Sequence, residues 1–169
     1  HVLSFVDIDA VRPMRIAINA GSGVVGPILK LILEKLPLEI NAEHYHFGCA
    51  FDGDGDRIVF VDEKGKAVSP SIIGALMARH LLKRHPYGKI IYNAVVSKIV
   101  PDIIGTYNGE AIRERVGHTF MKSRLKETGG ILGIEASGHY YFKDNFYADS
   151  GIICFLVMLQ ILSGEKKCL

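Results

Sequence analysis

Short apolar runs typical of β-strands alternate along this chain with longer runs in which apolar residues recur at helical spacing. The strand-like runs cover residues 15–20, 46–51, 57–68 (a hairpin turning at 63–65), 89–96, 111–116, 130–135 and 140–142. The helix-like runs cover residues 27–36, 70–85, 98–108, 118–128 and a terminal stretch from 151. Strands and helices that alternate in this order form mostly parallel sheets covered on both faces by helices. The sequence therefore predicts an α/β fold.

The length of 169 residues suits one ordinary domain or two small ones. We predict two α/β/α sandwich units with mixed, mostly parallel sheets, over residues 1–67 and 68–169. Only eight residues separate Pro37 from His46, too few for the strand–helix pair of a complete α/β layer. The first unit is therefore expected to be incomplete, and we favour a missing piece of chain after Pro37 over an unusually small unit.

Composition excludes several classes of protein. An apolar content of 49% with 22% charged residues is typical of a soluble globular protein. A net charge of +2 with scattered basic residues gives no indication of a nucleic-acid surface. The strongest apolar run, 151–162, is shorter than the about 20 residues of a membrane span. No signal peptide is evident, but the chain begins at His1, so a processed or truncated start remains open.

The three cysteines are widely spaced, with no C-x-x-C pair. Cys49 and Cys154 lie in apolar runs and are interpreted as small buried hydrophobic residues, while Cys168 lies near the C-terminus. A disulfide framework or a zinc site is not expected, and a reducing, cytoplasmic location fits.

Residues 21–26, GSGVVG, follow a strand and precede a helix, as the dinucleotide-binding fingerprint requires. That fingerprint also needs an acidic residue about 20 positions further on, at the end of the next strand. Glu39 comes too early and Glu43 follows no convincing strand. We favour a tight strand-to-helix turn, with dinucleotide binding kept as the alternative.

Residues 48–65, GCAFDGDGDRIVFVDEKG, place Asp52, Asp54 and Asp56 at alternate positions with only glycine between them. The spacing partly fits a calcium EF-hand loop, but the sixth position is Arg57 instead of glycine, and the flanks are strand-like instead of helical. A solvated Asp–Gly turn explains the glycines but not three carboxylates with so little neighbouring positive charge.

A divalent cation explains the whole aspartate pattern. The loop leaves the carboxyl end of a strand, where open α/β sheets bind ligands, and the glycines let the three carboxylates converge. Three oxygens are too few for Mg²⁺, which completes its octahedron with water and substrate phosphate. We predict a Mg²⁺ site on Asp52, Asp54 and Asp56, with Arg57 donating to a phosphate or sugar oxygen.

A second cluster follows two later strands, in residues 117–122 (GHTFMK) and 133–144 (GIEASGHYYFKD). Glu135, Ser137 and His139 alternate, so an extended backbone would point all three side chains to one side, where they could bind vicinal sugar hydroxyls. Taken singly, His118 and His139 would more often be structural, and Lys122 a solvated helix residue. The remaining histidines with a helical or strand context are predicted to lie at the surface: His44, His46, His80 and His85.

Together the two clusters resemble the α-D-phosphohexomutase family of phosphomannomutases and phosphoglucomutases. DGDGDR resembles its magnesium loop, and GIEASGH is similar to its sugar-recognition loop G-E-M-S-G-H. VGHTFMK, YADSGI and the opening LSFVDIDAVRPMRIAINAGSGVVGP resemble bacterial members. The resemblance covers nearly the whole chain and corresponds to the second and third of four domains.

The resemblance implies roles for particular residues. Asp52, Asp54 and Asp56 would hold Mg²⁺, and Arg57 would contact the substrate. Glu135 and Ser137 would bind sugar hydroxyls, His118 and His139 would act as acid–base or phosphate-contacting groups, and Lys122 would contribute to substrate binding. The chain departs from the family at Ile134 and Ala136, and at Val95, where many relatives carry a basic residue.

The family's phosphoserine loop and its C-terminal phosphate-binding loop do not occur in these 169 residues. The resemblance thus implies a fragment whose partners are a hexose phosphate and the missing domains of the same chain. The complete enzyme would be a phosphoprotein that interconverts hexose 1- and 6-phosphates, of mannose or glucose, through a bisphosphate. The fragment alone is expected to be inactive. The alternative is a non-catalytic phosphosugar- or metal-binding module.

Overall fold

The computed structural model describes residues 1–40, 44–165 and 169. Its strands and helices in chain order are β1 (Met14–Asn19), α1 (Val25–Leu33), β2 (Leu38–Ile40), β3 (Phe47–Phe51), β4 (Ile58–Val61), β5 (Ala67–Val68), α2 (Pro70–Arg84), β6 (Lys89–Asn93), α3 (Ile99–Thr106), β7 (Glu110–Glu114), α4 (His118–Thr128), β8 (Leu132–Ile134), β9 (Tyr140–Phe142) and α5 (Gly151–Glu165). Three short 3-10 helices lie at Val2–Phe5, Ile8–Ala10 and Lys143–Asn145. The chain divides into two compact units, one of His1–Val68 with Gly151–Leu169 and one of Ser69–Ser150.

The first unit contains a five-stranded sheet in the order β2-β1-β3-β4-β5. Strands β2, β1 and β3 are parallel, and β4 and β5 add an antiparallel hairpin. Phe47, Cys49 and Phe51 of β3 are all buried, and as alternate residues they share one face of the sheet. The ring of Phe155 in α5 lies against that face, 6.3 Å from the ring of Phe47 and 6.2 Å from that of Phe51.

Helix α5 therefore packs with the first unit, and the division into 1–67 and 68–169 predicted from the sequence stays a prediction. Every residue from Gly151 to Ser163 is buried, and a helix that is apolar on all sides has to lie inside a fold. The aromatic face of β3 provides part of that interior, although it lies about a hundred residues earlier in the chain. Among the described residues, no helix combines the length and apolarity needed to cross a bilayer.

The second unit contains a four-stranded sheet in the order β7-β6-β8-β9, parallel except for β9. A Cβ atom added at Gly133 of β8 would lie 2.5 Å from Cδ1 of Leu125 in α4. The neighbouring Ile134 instead approaches Gly74 of α2, where an added Cβ would lie 2.5 Å from the isoleucine Cγ2. Because consecutive strand residues point to opposite faces, α4 and α2 cover opposite faces of the sheet. The predicted fold class is confirmed.

Several element bounds differ from the sequence-based prediction, two of them by three residues. Helix α1 ends at Leu33 and not at Leu36, because the following amides bond three residues back, Lys35 N to Ile32 O at 3.1 Å and Leu36 N to Leu33 O at 3.1 Å. Strand β6 ends at Asn93, where its register with β7 ends, and not at residue 96. The missing piece suspected after Pro37 stays a prediction, and residues 41–43 of that stretch lie outside the described residues.

Candidate functional site

The aspartate loop (residues 52–57) connects β3 to β4 in the first unit. One carboxylate oxygen from each of Asp52, Asp54 and Asp56 lies within 4.8 Å of the other two. Asp54 is exposed, and the other two side chains are partly buried. The structure thus brings together the three side chains that the spacing singled out.

Arg57 forms hydrogen bonds with Asp52, the first carboxylate of this loop. Its Nε donates to Asp52 Oδ2 at 2.6 Å, and its backbone N–H donates to Asp52 Oδ1 at 3.2 Å. Its Nε also lies 3.9 Å from Asp56 Oδ1. Burial acts to raise the pKa of Asp52, but the hydrogen bonds and the charge of Arg57 outweigh it, so that pKa lies below its usual value. The carboxylate therefore stays ionised, as a metal ligand must.

The glycine loop (residues 21–26) packs directly against the aspartate loop. The N–H of Val24 donates to Gly53 O at 3.3 Å, and a Cβ added at Gly23 would lie 1.8 Å from that same oxygen. Only a glycine at position 23 allows the two backbones to come this close. The contact supports the structural interpretation of GSGVVG over dinucleotide binding.

Gly55 is held from two sides. Its φ is +78°, a conformation that favours glycine, and an added Cβ would lie 2.3 Å from Val25 Cγ2. Its carbonyl accepts a hydrogen bond from the N–H of Gly151, the first residue of α5, at 3.0 Å. The aspartate loop is thus fixed by the glycine loop and by the start of α5. No sequence pattern predicts the contact with Gly151.

The three carboxylates form a donor set that suits a hard divalent cation such as Mg²⁺. Oxygens around Mg²⁺ at about 2.1 Å lie about 3.0 Å apart when adjacent and about 4.2 Å apart when opposite. The carboxylate oxygens are separated by up to 4.8 Å. Two of them would have to approach by less than about an ångström to occupy opposite positions around the ion, and by up to about 2 Å to occupy adjacent positions. Each carboxylate oxygen has two lone pairs, so the single bond from Arg57 to Asp52 Oδ2 leaves that oxygen able to bind a cation as well.

In the second unit, Glu135, Ser137 and His139 lie on a tight turn (the recognition turn, residues 135–139). The N–H of Glu135 donates to His139 O at 3.1 Å, the N–H of Gly138 donates to Glu135 O at 3.2 Å, and Gly138 has a φ of +90°. The prediction of an extended backbone was therefore wrong. The turn closes the β8–β9 hairpin, and Gly138 supplies the left-handed conformation that it requires.

Glu135 lies inside the fold, with 3% of its surface exposed. Its Oε2 accepts a hydrogen bond from Asn93 Nδ2 at 3.1 Å, and its Oε1 accepts a short one from the Tyr141 hydroxyl. A buried carboxylate is costly unless donors satisfy it, and these two side chains fix its orientation. Asn93 stands at the end of β6, the parallel neighbour of β8.

Ser137 and His139 are joined at the surface of the recognition turn. Ser137 Oγ lies 2.9 Å from His139 Nδ1, and the imidazole stacks on the Tyr141 ring with centroids 6.3 Å apart. On the other side, His139 Nε2 lies 3.9 Å from Asp149 Oδ2. The other oxygen of Asp149 accepts from Lys122 Nζ at 2.9 Å.

Helix α4 carries the two remaining predicted residues. His118 is its exposed first residue, and Lys122 follows one turn later on the same side. Gly117 before it has a φ of +131°, which lets the chain turn into the helix. Lys122, predicted to bind substrate, is held by Asp149 in this structure.

Sequence reasoning missed three side chains of this cluster: Asn93, Tyr141 and Asp149. Asp149 belongs to the motif YADSGI, which carried the family resemblance but received no role. Asn93 ends a parallel strand, and Tyr141 is the one residue of YYF that shares a face with His139. Both positions could have been found by following strand ends and strand alternation.

The predicted burial of the remaining cysteines and histidines is confirmed for some residues and not for others. Cys49 and Cys154 are buried, as predicted, and burial raises the pKa of both thiols. His85 and His44 are exposed, while His46 is half-buried. His80 is also half-buried, so both it and His46 are less exposed than predicted. Burial, and then the positive charges of Arg84, Lys83 and Arg79, lower the pKa of His80 to about 4. Val95, the departure from the family pattern, is 64% exposed.

Comparison with known proteins gives consistent matches. Residues 69–169 match the family model described as phosphoglucomutase/phosphomannomutase, alpha/beta/alpha domain III. A phosphomannomutase of Methanocaldococcus jannaschii is 38% identical over 130 residues, which cover 77% of this chain and 29% of that protein. The crystal structure of a phosphoglucomutase/phosphomannomutase family protein from Burkholderia thailandensis superimposes with a TM-score of 0.86 at 30% identity, covering 96% of this chain and 43% of that one.

An N-acetylphosphoglucosamine mutase of Aspergillus fumigatus, solved in complex with GlcNAc-6P and magnesium, shares the fold with a TM-score of 0.71 at 15% identity. It is matched over 94% of this chain and 49% of its own. The chain thus spans less than half the length of each of these proteins.

Proposed function

Because the chain belongs to the phosphoglucomutase/phosphomannomutase family, we propose that it is part of a Mg²⁺-dependent phosphohexomutase. The reaction is the interconversion of hexose 1-phosphate and hexose 6-phosphate, with mannose or glucose as the sugar. One observation carries the proposal: the chain forms both a three-carboxylate cluster on the aspartate loop and a Glu–Ser–His set on the recognition turn.

The two clusters supply different functions. Asp52, Asp54 and Asp56 hold the metal, which offsets negative charge on the phosphoryl group when bound. Arg57, already paired with Asp52, offers its guanidinium to a phosphate or sugar oxygen. The bound GlcNAc-6P and magnesium of the fungal mutase support this ligand class for the fold.

The recognition turn binds the sugar. Glu135 accepts hydrogen bonds from hydroxyl groups, with its orientation fixed by Asn93 and Tyr141. Ser137 donates to or accepts from a neighbouring hydroxyl. His139 and His118 accept the proton of the hydroxyl that is phosphorylated and return one to the oxygen that loses its phosphoryl group.

The phosphoryl donor is proposed to be a phosphoserine elsewhere in the complete protein. Its phosphoryl group passes to the free hydroxyl of the hexose phosphate, which gives a hexose bisphosphate and a free serine. The bisphosphate then turns over and returns its other phosphoryl group to the serine, so that phosphate is conserved. The share of the relatives that this chain covers, 29–49%, supports placing that serine outside it.

The full-length protein tests the proposal through Asp54→Asn. We expect turnover of mannose 1-phosphate and glucose 1-phosphate by the wild type, and a fall in kcat/KM of about 100-fold or more in the variant, since a catalytic metal supplies several kcal/mol. Calorimetry should show Mg²⁺ uptake by the wild type that is weakened in the variant.

Glu63→Gln is the matched control. Glu63 is an exposed acidic residue in the β4–β5 turn of the same unit, so its loss changes the net charge equally but leaves the cluster intact. Unimpaired activity of Asp54→Asn would contradict the metal role. Binding of Mg²⁺ and sugar phosphate without any turnover by the wild type would favour a non-catalytic binding module.

A further inference from the structure

Asp149 contacts two side chains that the proposed function uses. Its Oδ1 lies 2.9 Å from Lys122 Nζ and its Oδ2 lies 3.9 Å from His139 Nε2. We propose, on the basis of the proposed mutase function, that Asp149 is a positioning residue. Its carboxylate holds the lysine ammonium and the imidazole side by side, so that both face one phosphoryl or hydroxyl oxygen of the sugar phosphate.

The carboxylate itself has a fixed position. Asp149 pairs with Tyr141 in an antiparallel bridge beside β9. The residues on either side are bonded as well, with Phe142 N donating to Ala148 O at 3.1 Å and Ser150 N donating to Tyr140 O at 3.1 Å. The segment is thus an additional extended piece along the edge of the sheet, and a side chain on it is far less mobile than one on a loop.

The lysine, in contrast, needs an external anchor. Its long, flexible side chain extends from α4 and is 40% exposed, so many rotamers are open to it. The Asp149 side chain is only 9% exposed, so its charge is poorly screened by water and attracts the ammonium more strongly than a surface carboxylate would. The ion pair therefore selects one Lys122 conformation.

The imidazole is confined from three sides. Ser137 Oγ lies 2.9 Å from Nδ1, the Tyr141 ring stacks on its face, and Asp149 faces Nε2. Lys122 Nζ also lies 5.7 Å from the centroid of the same Tyr141 ring. Asp149 is thus the carboxylate shared by the lysine and the histidine, and its loss affects both.

A second ion pair on α4 provides a matched control. Glu114 Oε2 accepts from Arg124 Nε at 2.8 Å, and Arg124 follows Lys122 by two residues on the helix. This pair has the same kind of geometry in the same unit, but it involves none of the proposed substrate-binding residues. Glu114→Gln therefore measures what the loss of an ordinary ion pair on this helix does.

The first experiment is independent of activity. The full-length protein and its Asp149→Asn variant are acetylated with a limiting reagent, and labelling is followed by mass spectrometry at Lys122 and at the exposed Lys126 of the same helix. We expect Lys122 to react more slowly than Lys126 in the wild type and several-fold faster in the variant, with Lys126 unchanged. Equal Lys122 rates in the two proteins would overturn the positioning role.

The second experiment measures kinetics. We expect Asp149→Asn to lower kcat/KM by about 100-fold, because misplacing catalytic groups by about an ångström has effects of this size. Asp149→Glu, which keeps the charge, should recover part of the loss, and Glu114→Gln should stay within about twofold of the wild type. The fold-decrease in kcat/KM of the double variant D149N/K122M should be smaller than the product of the two single fold-decreases, because the two residues act together.

Outcomes that contradict the two proposals differ. In an active enzyme, a fall in kcat/KM for D149N no larger than that for E114Q would overturn the positioning role. So would a fall for the double variant D149N/K122M equal to the product of the two single falls. Absence of turnover in the wild type would refute the proposed mutase function, and the labelling result then decides by itself whether Asp149 holds Lys122.

Discussion

At the residue scale, the second unit holds its two important carboxylates in different ways. Glu135 is buried and satisfied by two neutral donors, Asn93 and Tyr141. Asp149 is paired with the charged Lys122. Neutral donors fix the direction of a carboxylate without cancelling its charge, so Glu135 keeps its capacity to accept hydrogen bonds from a ligand.

The adjacent tyrosines of β9 give a matched test of this arrangement. Tyr141→Phe removes a donor from a buried carboxylate and should lower the free energy of unfolding by about 1.5–3 kcal/mol. Tyr140→Phe removes the bond from its hydroxyl to Pro70 O at 3.1 Å, a neutral acceptor, and should lower the free energy of unfolding by about 0.5–1.5 kcal/mol. Urea denaturation of both variants measures the difference.

The same pair separates stability from substrate binding. Because Glu135 would lose its fixed orientation, Tyr141→Phe should also raise KM for the hexose phosphate by about tenfold in the full-length protein, while Tyr140→Phe should leave KM unchanged. Equal KM values for the two variants would show that the Tyr141 bond does not orient the carboxylate that is proposed to bind the sugar.

At the scale of elements, two loops and one helix start act together. Gly23 of the glycine loop touches Gly53 backbone to backbone, and Gly151 at the start of α5 bonds to Gly55. Neither contact involves the carboxylates themselves. The convergence of the three aspartates nevertheless depends on them, because both contacts fix the backbone from which the carboxylates extend.

Gly23→Ala tests this dependence. Its new methyl group would meet backbone 1.8 Å away, and backbone cannot move aside as a flexible side chain does. We expect a loss of about 2–3 kcal/mol in the free energy of unfolding, as in severe overpacking, together with weaker Mg²⁺ binding by calorimetry.

Gly26→Ala is the control for this substitution. The nearest atom to its added Cβ is Ala20 Cβ at 3.8 Å, and Gly26 lies within α1. Alanine is a better helix former than glycine by about 1 kcal/mol, so this variant should be as stable as the wild type or more so. Unchanged Mg²⁺ affinity in Gly23→Ala would mean that the glycine loop does not shape the proposed metal site.

Helix α2 has a predicted response to acid. The pKa of His80 is lowered from 6.5 to about 4 by burial and by Arg84, Lys83 and Arg79. The folded protein thus disfavours the protonated imidazole. The contribution of His80 to the free energy of unfolding is therefore complete above its unfolded pKa of 6.5, and it is lost as the pH falls from 6.5 toward about 4. Because His80 is partly exposed, we discount the full shift to about 1–2 kcal/mol.

Thermal unfolding between pH 7.5 and pH 4.5 checks this expectation. His80→Gln cannot take up the proton and should lose less stability over that interval than the wild type. His85→Gln, at the exposed end of the same helix, should behave like the wild type. Parallel pH profiles for His80→Gln and the wild type would show that this histidine does not contribute to acid sensitivity.

At the scale of the whole molecule, local patterns predicted most elements but not their partners. Periodicity identified the helices and the strands other than β2, because it reflects one buried face of each element, and the three residues of β2 are too few to show it. Periodicity could not identify what packs against α5, since a helix that is apolar on all sides has no distinct buried face. The same limit applies to Glu135, whose partner Asn93 lies 42 positions away. It also applies to Asp149, because the segment that pairs with β9 is too short to show a strand pattern.

Fragments of the chain test the two-unit architecture. Residues 69–150 contain a complete sheet and its helices and should unfold cooperatively on their own, as followed by circular dichroism. Residues 1–68 alone should not, because they lack α5 and with it the ring of Phe155 between Phe47 and Phe51. Joining 1–68 to 151–169 through a flexible linker should restore cooperative unfolding. A stable, cooperative 1–68 fragment would contradict the assignment of α5.

The interrupted first unit also determines an order of events on the ribosome. Residues 1–68 leave the exit tunnel first, yet their aromatic sheet face stays uncovered until residues 151–165 have been translated. At about 5–20 residues per second, that wait lasts for roughly 5–19 seconds. The later-synthesised unit should therefore reach its native state first, and the nascent strands of residues 1–68 should be the segment of this chain that binds chaperones during translation.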